Sequence, residues 1–280
     1  MSNTNPWKYV QLDEGELATN PYLNPPAKPV HPTPLPTPAP TPTNPVSLSN
    51  AGNSLLLENL VCVDADRNVL EQYPTLAIQK DIFRNAQSQQ INFTPYQGAV
   101  HCEQNGLFLP SFALTCNILV ALYQNRNIPE AKKLLDMYKD KGNGNGWHAQ
   151  NTIINWGTKQ IIHYPRDNDF PQHGGNNNIN QSRPPIRLSF DRTGFADKTL
   201  ADSLQTPNFK RYVQNLTGLQ NPSVLVQLGE YFGKPAYVWP SSSNETRAAW
   251  LGCDDCYFLL NGNGSLYNYY AARGVRLVAP

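Results

Sequence analysis

The run Tyr257-Phe258-Leu259-Leu260, Asn261-Gly262-Asn263-Gly264, Ser265-Leu266-Tyr267-Asn268-Tyr269 decides the fold, with Gly274-Val275-Arg276-Leu277-Val278 closing the chain shortly after it. Asn-Gly between two β-prone runs is a strong short-range hairpin signal, because both residues tolerate the left-handed backbone that a tight hairpin turn requires. The spacing predicts a terminal hairpin turning at 261–264, followed by one more strand. Working backward, Ser223 to Phe232 reads as a helix. Ser111 to Tyr123 reads as another, with Leu114, Ile118, Leu119 and Leu122 at helical spacing and Ser111 placed as its cap. Pro129 suits the first turn of a helix over Glu130–Lys139, whose core face would be Ala131, Leu134, Leu135 and Tyr138. Gly142 to Gly146 would end it. Leu55 to Val63 and Ile91-Asn92-Phe93 read as strands, and Asp81 to Gln90 as a short helix. Strands, two helices, long loops and a terminal hairpin give an α+β order, not a βαβ one.

The N-terminal region obeys different rules. Between Pro21 and Pro45, prolines stand at 21, 25, 26, 29, 32, 34, 36, 38, 40, 42 and 45. Each lacks an amide donor and has its φ fixed, which favours an extended polyproline II spacer. The sequence therefore divides into an anchor and Pro-rich stalk over 1–45, a β-rich lead-in over 46–100 and a main domain over 101–280. Trp7, Tyr9 and Val10 offer the anchor something to dock.

Composition excludes several classes. The 280 residues carry 22 Lys+Arg against 21 Asp+Glu, a net charge of +1, so no bulk basic face is available for nucleic acid. Only 15% are charged, and their place is taken by 31 Asn, 25 Pro and 18 Gly, the residues of loops and turns. No apolar run is long enough to cross a membrane, and Met1 to Pro6 lacks the basic and apolar regions of a secretory leader. The five cysteines, Cys62, Cys102, Cys116, Cys253 and Cys256, form an odd, scattered set that reads as reduced.

Few motifs point to catalysis. Cys253-Asp254-Asp255-Cys256 has C-x-x-C spacing, but neither the second ligand pair of a zinc site nor the βαβ setting of a thiol redox centre accompanies it. Asp167-Asn168-Asp169 alternates oxygen ligands without the spaced Gly and distal Glu of a calcium loop. His148, His163 and His173 stand alone. The expectation is no enzyme, no metal and no cofactor. One compositional oddity remains. From Cys253 to Tyr270 there is no Lys, Glu, Gln, Met or Trp, and every residue can be encoded by a codon ending in C. Random substitution of adenines in AAC codons would leave that trace, as would ordinary strand and turn composition.

Arg247-Ala248-Ala249-Trp250, and after the intervening run Ala272-Arg273-Gly274-Val275-Arg276-Leu277, resemble the C-type-lectin-fold variable proteins that retroelements diversify in bacteriophages. Gly106-Leu107-Phe108-Leu109-Pro110-Ser111 resembles the entry to the helix of that fold, and Val238-Trp239-Pro240-Ser241-Ser242-Ser243 its Trp-Ser turn. The resemblance covers roughly residues 100 to 280. It implies a C-type-lectin-like domain with two helices and a terminal hairpin whose side chains form a ligand-binding face. Asp254, Asp255, Tyr257, Asn261, Asn263, Tyr267, Asn268 and Tyr269 would be that face, tyrosines giving contact area at low entropic cost and Asp and Asn giving adaptable hydrogen bonds. Trp239, Arg247, Ala248, Ala249, Trp250, Arg273, Gly274, Val275 and Leu277 would be the scaffold, with Gly274 turning the backbone. The alternative for the tyrosines is a half-buried strand surface. By the same resemblance the protein would be carried on a virion as a homo-oligomer, a trimer favoured. It would bind a host surface protein or glycan, and other virion proteins through its N-terminal segment. Two other readings stay open: a structural capsid or tail decoration protein, and a formylglycine-generating-type oxidase. That oxidase shares the fold, but Cys253 and Cys256 do not match its cysteine spacing.

Overall fold

A computed structural model describes residues 46–139, 147–165 and 184–278. The N-terminal anchor and stalk, Gly142 to Gly146, Asp167-Asn168-Asp169 and His173 lie outside the described residues. What is described is α+β. Strands β1 (Ser47–Ala51), β2 (Ser54–Val63) and β3 (Val69–Gln79) form an antiparallel meander, which the C-terminal strand β13 (Val275–Leu277) joins along β3, with Val275 opposite Ile78. The second sheet runs β4 (Asn92–Phe93), β12 (Tyr270–Ala271), β5 (Trp147–Asn155), β10 (Thr246–Cys253), β11 (Phe258–Gly264), β9 (Ala236–Trp239) and β8 (Lys198–Thr199). From β5 it branches to β6 (Gln160–His163) and β7 (Ile186–Ser189).

Six helices occur among the described residues, where the lectin-type reading expects two: α1 (Pro95–Gln104), α2 (Phe112–Gln124), α3 (Pro129–Lys139), α4 (Leu200–Ser203), α5 (Pro207–Thr217) and α6 (Ser223–Phe232). Helix α1 crosses position 100, and Leu55, Tyr73 and Ile78 share one core with Phe112, Trp156 and Val275. A smaller cluster under α1 joins Phe83, Phe93, Ala99, Leu109, Ile153, Trp250 and Ala272 on the opposite face of the larger sheet.

Helix α2 is the hub of the larger core, with ten of its thirteen residues buried, the pattern of a helix covered on all sides. Its N-terminus is anchored chemically. Ser111 Oγ accepts from the Leu114 amide at 3.0 Å and donates to buried Glu71, whose other oxygen accepts from Tyr73 Oη at 2.7 Å. A carboxylate near a helix N-terminus also complements the helix dipole. One turn on, Asn117 Nδ2 donates to the carbonyls of Thr217 and Gly218 at 3.1 and 3.2 Å, satisfying the C-terminus of α5. Gly218 has φ +64°, and a Cβ there would lie 2.9 Å from Ala113 Cβ; only glycine allows both the left-handed cap and the close approach.

A relay of hydrogen bonds crosses the same region. The Phe112 amide donates to Thr152 Oγ1 at 2.9 Å; Thr152 bonds His163 Nδ1 at 2.9 Å, and His163 Nε2 lies 3.0 Å from the Asn215 carbonyl. A carbonyl only accepts, so Nε2 carries a proton; burial disfavours a second one on the ring, which leaves Nδ1 to accept from Thr152. Imidazole is therefore neutral here.

The Asn-Gly run is the main correction. Residues 261–264 are not the turn, and Ser265 to Tyr269 is not a strand; β11 runs straight through to Gly264. The hairpin turns at Asp254–Tyr257, where Asp254 Oδ1 accepts the amides of Cys256 and Tyr257 at 2.7 and 2.6 Å. The glycines serve close approach instead. A Cβ on Gly262 would lie 2.6 Å from Tyr212 Oη and 3.1 Å from Trp156 Cζ2, and one on Gly264 would lie 1.5 Å from Trp250 Cδ1. Between them β11 spends three steps, Asn261 to Gly264, against two on β10, Trp250 to Ala248. That extra residue is a β-bulge, which turns the strand so that the two glycines meet rings on opposite faces. Gly274 is corrected in the same sense: its φ is not positive, and a Cβ would lie 2.6 Å from Leu107 Cδ1. Asp81 to Gln90 is not helical either; Asn85 Oδ1 takes the amides of Gln87 and Gln89 and holds a turn. The helix begins later, at Pro95, behind a Thr94–Gln97 capping box.

Two measurements test this packing. Gly264→Ala should cost more than ~3 kcal/mol in urea unfolding, because the added methyl falls on a buried indole. Burial lowers the His163 pKa from 6.5 to about 4, against the opposing effect of its bond to Asn215. The unfolded chain then binds more protons than the folded one below pH 6.5, so stability is complete above that value and is lost as pH falls toward 4. His163→Gln should remove about 2–3 kcal/mol of that loss between pH 7 and 4.5.

Candidate functional site

Cross-strand neighbours share a face, and the register of β9, β10 and β11 therefore assembles a surface. One row reads Trp239, Asn261, Trp250; the next reads Tyr237, Leu259, Gly252. At the β10 end the rows are covered. Trp250 is buried, and the Tyr270 ring stands edge-on to it at 4.2 Å, so the segment 265–270 lies over the scaffold strand. At the β9 end they are open. Trp239 is 42% exposed, and Tyr237 packs its ring 4.8 Å from Tyr257. Four large apolar or aromatic side chains are exposed among the described residues, and three of them, Trp239, Tyr257 and Tyr269, fall within this C-terminal region. A stray exposed apolar residue is ordinary, but Tyr237, Trp239 and Tyr257 stand together at the β9 end.

The structure sorts the expected face. Asp255, Tyr257, Asn268 and Tyr269 are exposed; Asp254, Asn261, Asn263 and Tyr267 are half-buried. Asp254 is occupied with the turn, and Lys234 Nζ donates to its carbonyl. Asn261 Oδ1 accepts the Asn263 amide at 2.7 Å within the bulge, and Asn268 Nδ2 bonds Tyr270 Oη at 3.2 Å. Tyr237, absent from the sequence-derived set, belongs to the surface; its alternation with Trp239 in a strand was the available signal.

The scaffold set divides likewise. Ala248, Ala249, Trp250, Arg273, Gly274 and Val275 are buried, Leu277 is half-buried, and Arg247 pairs with Glu245 at the edge. Trp239 is placed otherwise: it faces outward and is reassigned to the surface. Arg273 Nη1 donates to the Gln79 carbonyl at 2.6 Å, and its guanidinium lies 5.8 Å from the Tyr138 ring. This ties the end of the chain to β3 and α3.

Groups with chemical reactivity are otherwise packed away. Burial pushes the Cys253 thiol up to about 12, while Cys256 is exposed in the turn. Cys62, Cys102 and Cys116 are buried with raised thiol pKa values, again from burial first. His148 stacks on Tyr138 at 4.1 Å. Among the described residues no three His, Cys, Asp or Glu side chains stand together as metal ligands, and no helix is long and apolar enough to cross a membrane. No protein-family profile matches the chain, and no curated protein and no solved structure is significantly similar to it.

If the indole of Trp250 is scaffold, Trp250→Ala should cost ~3–5 kcal/mol in urea unfolding, the range for emptying a buried aromatic site. Tyr269→Ala, at a 46% exposed position, should fall within ~0.5 kcal/mol of the parent.

Proposed function

We propose that the protein is a virion-borne receptor-binding protein of the C-type-lectin-fold type, presenting the β9–β11 surface to a host-cell ligand. The observation that carries the reading is the sorting of aromatics around one hairpin: Trp250 is buried while Trp239, Tyr257 and Tyr269 are exposed. Exposed rings with a polar edge supply contact area at little entropic cost, and neighbouring Asn and Ser groups supply adaptable hydrogen bonds. Such a face works without a catalytic group, metal or cofactor. The entry from Gly106 to Ser111 into α2, the buried Ala248-to-Trp250 strand and the Arg273–Leu277 return support the lectin-type reading. The oxidase reading loses ground on Cys253, whose thiol burial keeps protonated at neutral pH. The N-terminal anchor would join other virion proteins, and a trimer would multiply a modest affinity through avidity.

The test is adsorption of labelled protein to whole cells of a panel of bacterial species. Saturable binding to some species is expected, with Tyr257→Ala or Trp239→Ala weakening it by ~2 kcal/mol or more if the residue is a hot spot. Equal, weak adsorption to every species, unchanged in those variants, would favour a decoration protein instead.

A further inference from the structure

The open aromatic surface has a ligand candidate within its own chain. Tyr237 and Tyr257 pack their rings together, Trp239 stands two residues further along β9, and the exposed carboxylate of Asp197 precedes Lys198, the β8 partner of Val238. Its nearness shows in the Tyr237 phenol, whose pKa is raised by burial first and by the Asp197 charge second. The N-terminal sequence contains Pro26-Ala27-Lys28-Pro29-Val30-His31-Pro32. A polyproline II helix has three residues per turn and rises about 3.1 Å per residue. In that conformation Pro26, Pro29 and Pro32 would share one edge at steps of about 9 Å, with Lys28 and His31 together on another. Proline-rich ligands of this pattern are recognised by aromatic-lined surfaces, and a basic residue beside the prolines complements a carboxylate beside the rings.

We propose that Pro26–Pro32 is the intramolecular ligand of the Tyr237–Trp239–Tyr257 surface, with its prolines on the rings and Lys28 toward Asp197. This rests on that surface being the binding face and names an occupant for it within the same chain. Reach allows it. Residues 33–45 connect the motif to Val46 and, at about 3.1 Å each in a polyproline II conformation, would span about 40 Å, more than twice the ~17 Å radius of gyration of a body this size.

Cys256 makes the test direct, being the one exposed cysteine of five and adjacent to Tyr257. Val30→Cys in the full chain is treated with a short bis-maleimide, and Thr19→Cys serves as control. The expected result is an intramolecular bridge from the introduced thiol to Cys256, about 5-fold above the control and returned to control level by Trp239→Ala or by Pro26→Ala/Pro29→Ala/Pro32→Ala. A bridge at control level, one insensitive to those substitutions, or one formed only between two copies overturns the proposal. Cell adsorption by the same preparations separates the two claims. If adsorption persists in the parent and is lost in Trp239→Ala while no bridge forms, the segment is excluded and the binding face stands.

Discussion

The path of the chain from β10 to β13 turns on one close approach: the indole of Trp250 occupies the space where residue 264 would carry a Cβ. That contact fixes the β10–β11 pair, and the pair fixes the rest. Trp250 receives the Tyr270 ring, which brings β12 against β4 and β5. From there Arg273 reaches the Gln79 carbonyl and Val275 pairs with Ile78, so the chain end joins the larger sheet to the smaller one. Glycine at 264 costs conformational entropy in a strand, and the sheet recovers it by packing an aromatic ring directly on backbone.

The same arrangement separates scaffold from surface. The rows that end in Trp250 and Gly252 under cover begin in Trp239 and Tyr237 in the open. A side chain at the β9 end or in the turn at Asp254–Tyr257 can change without touching the indole, because the turn is closed by Asp254 and backbone amides rather than by Tyr257 itself. A binding surface that must vary needs this independence: contact residues on a support whose energy lies elsewhere.

Much of the support was legible. Ser111, the apolar spacing of 114–122, Pro129 and the 131–138 face carry local signals that tertiary structure left alone, and α2, α3 and α6 stand where spacing puts them. The Asn-Gly run was misleading because a glycine needed for a left-handed turn and one needed for close approach look identical in sequence; Trp156 and Trp250, over a hundred and about a dozen residues upstream, decide between them. Pro95 and Pro207 open helices, and the latter follows Thr206 and precedes Phe209, Tyr212, Val213 and Leu216 at helical spacing, a pattern that was readable. The outward placement of Trp239 was not: a tryptophan beside a Ser-rich turn reads as core until the register of β9 against β11 is known. No local signal marks the shared core of the lead-in and the main domain, because it arises from β13 returning to β3 across almost two hundred residues.

The central claim is that the exposed aromatics add nothing essential to the fold. Equilibrium urea unfolding of the triple variant Trp239→Ala/Tyr257→Ala/Tyr269→Ala tests it most directly. An unchanged m-value and a stability within about 1 kcal/mol of the parent are predicted, since each ring is exposed and none packs into either buried cluster. A loss of ~4 kcal/mol or more, the scale of emptied core sites, would show that these rings hold the sheet together and would contradict the separation of surface from scaffold.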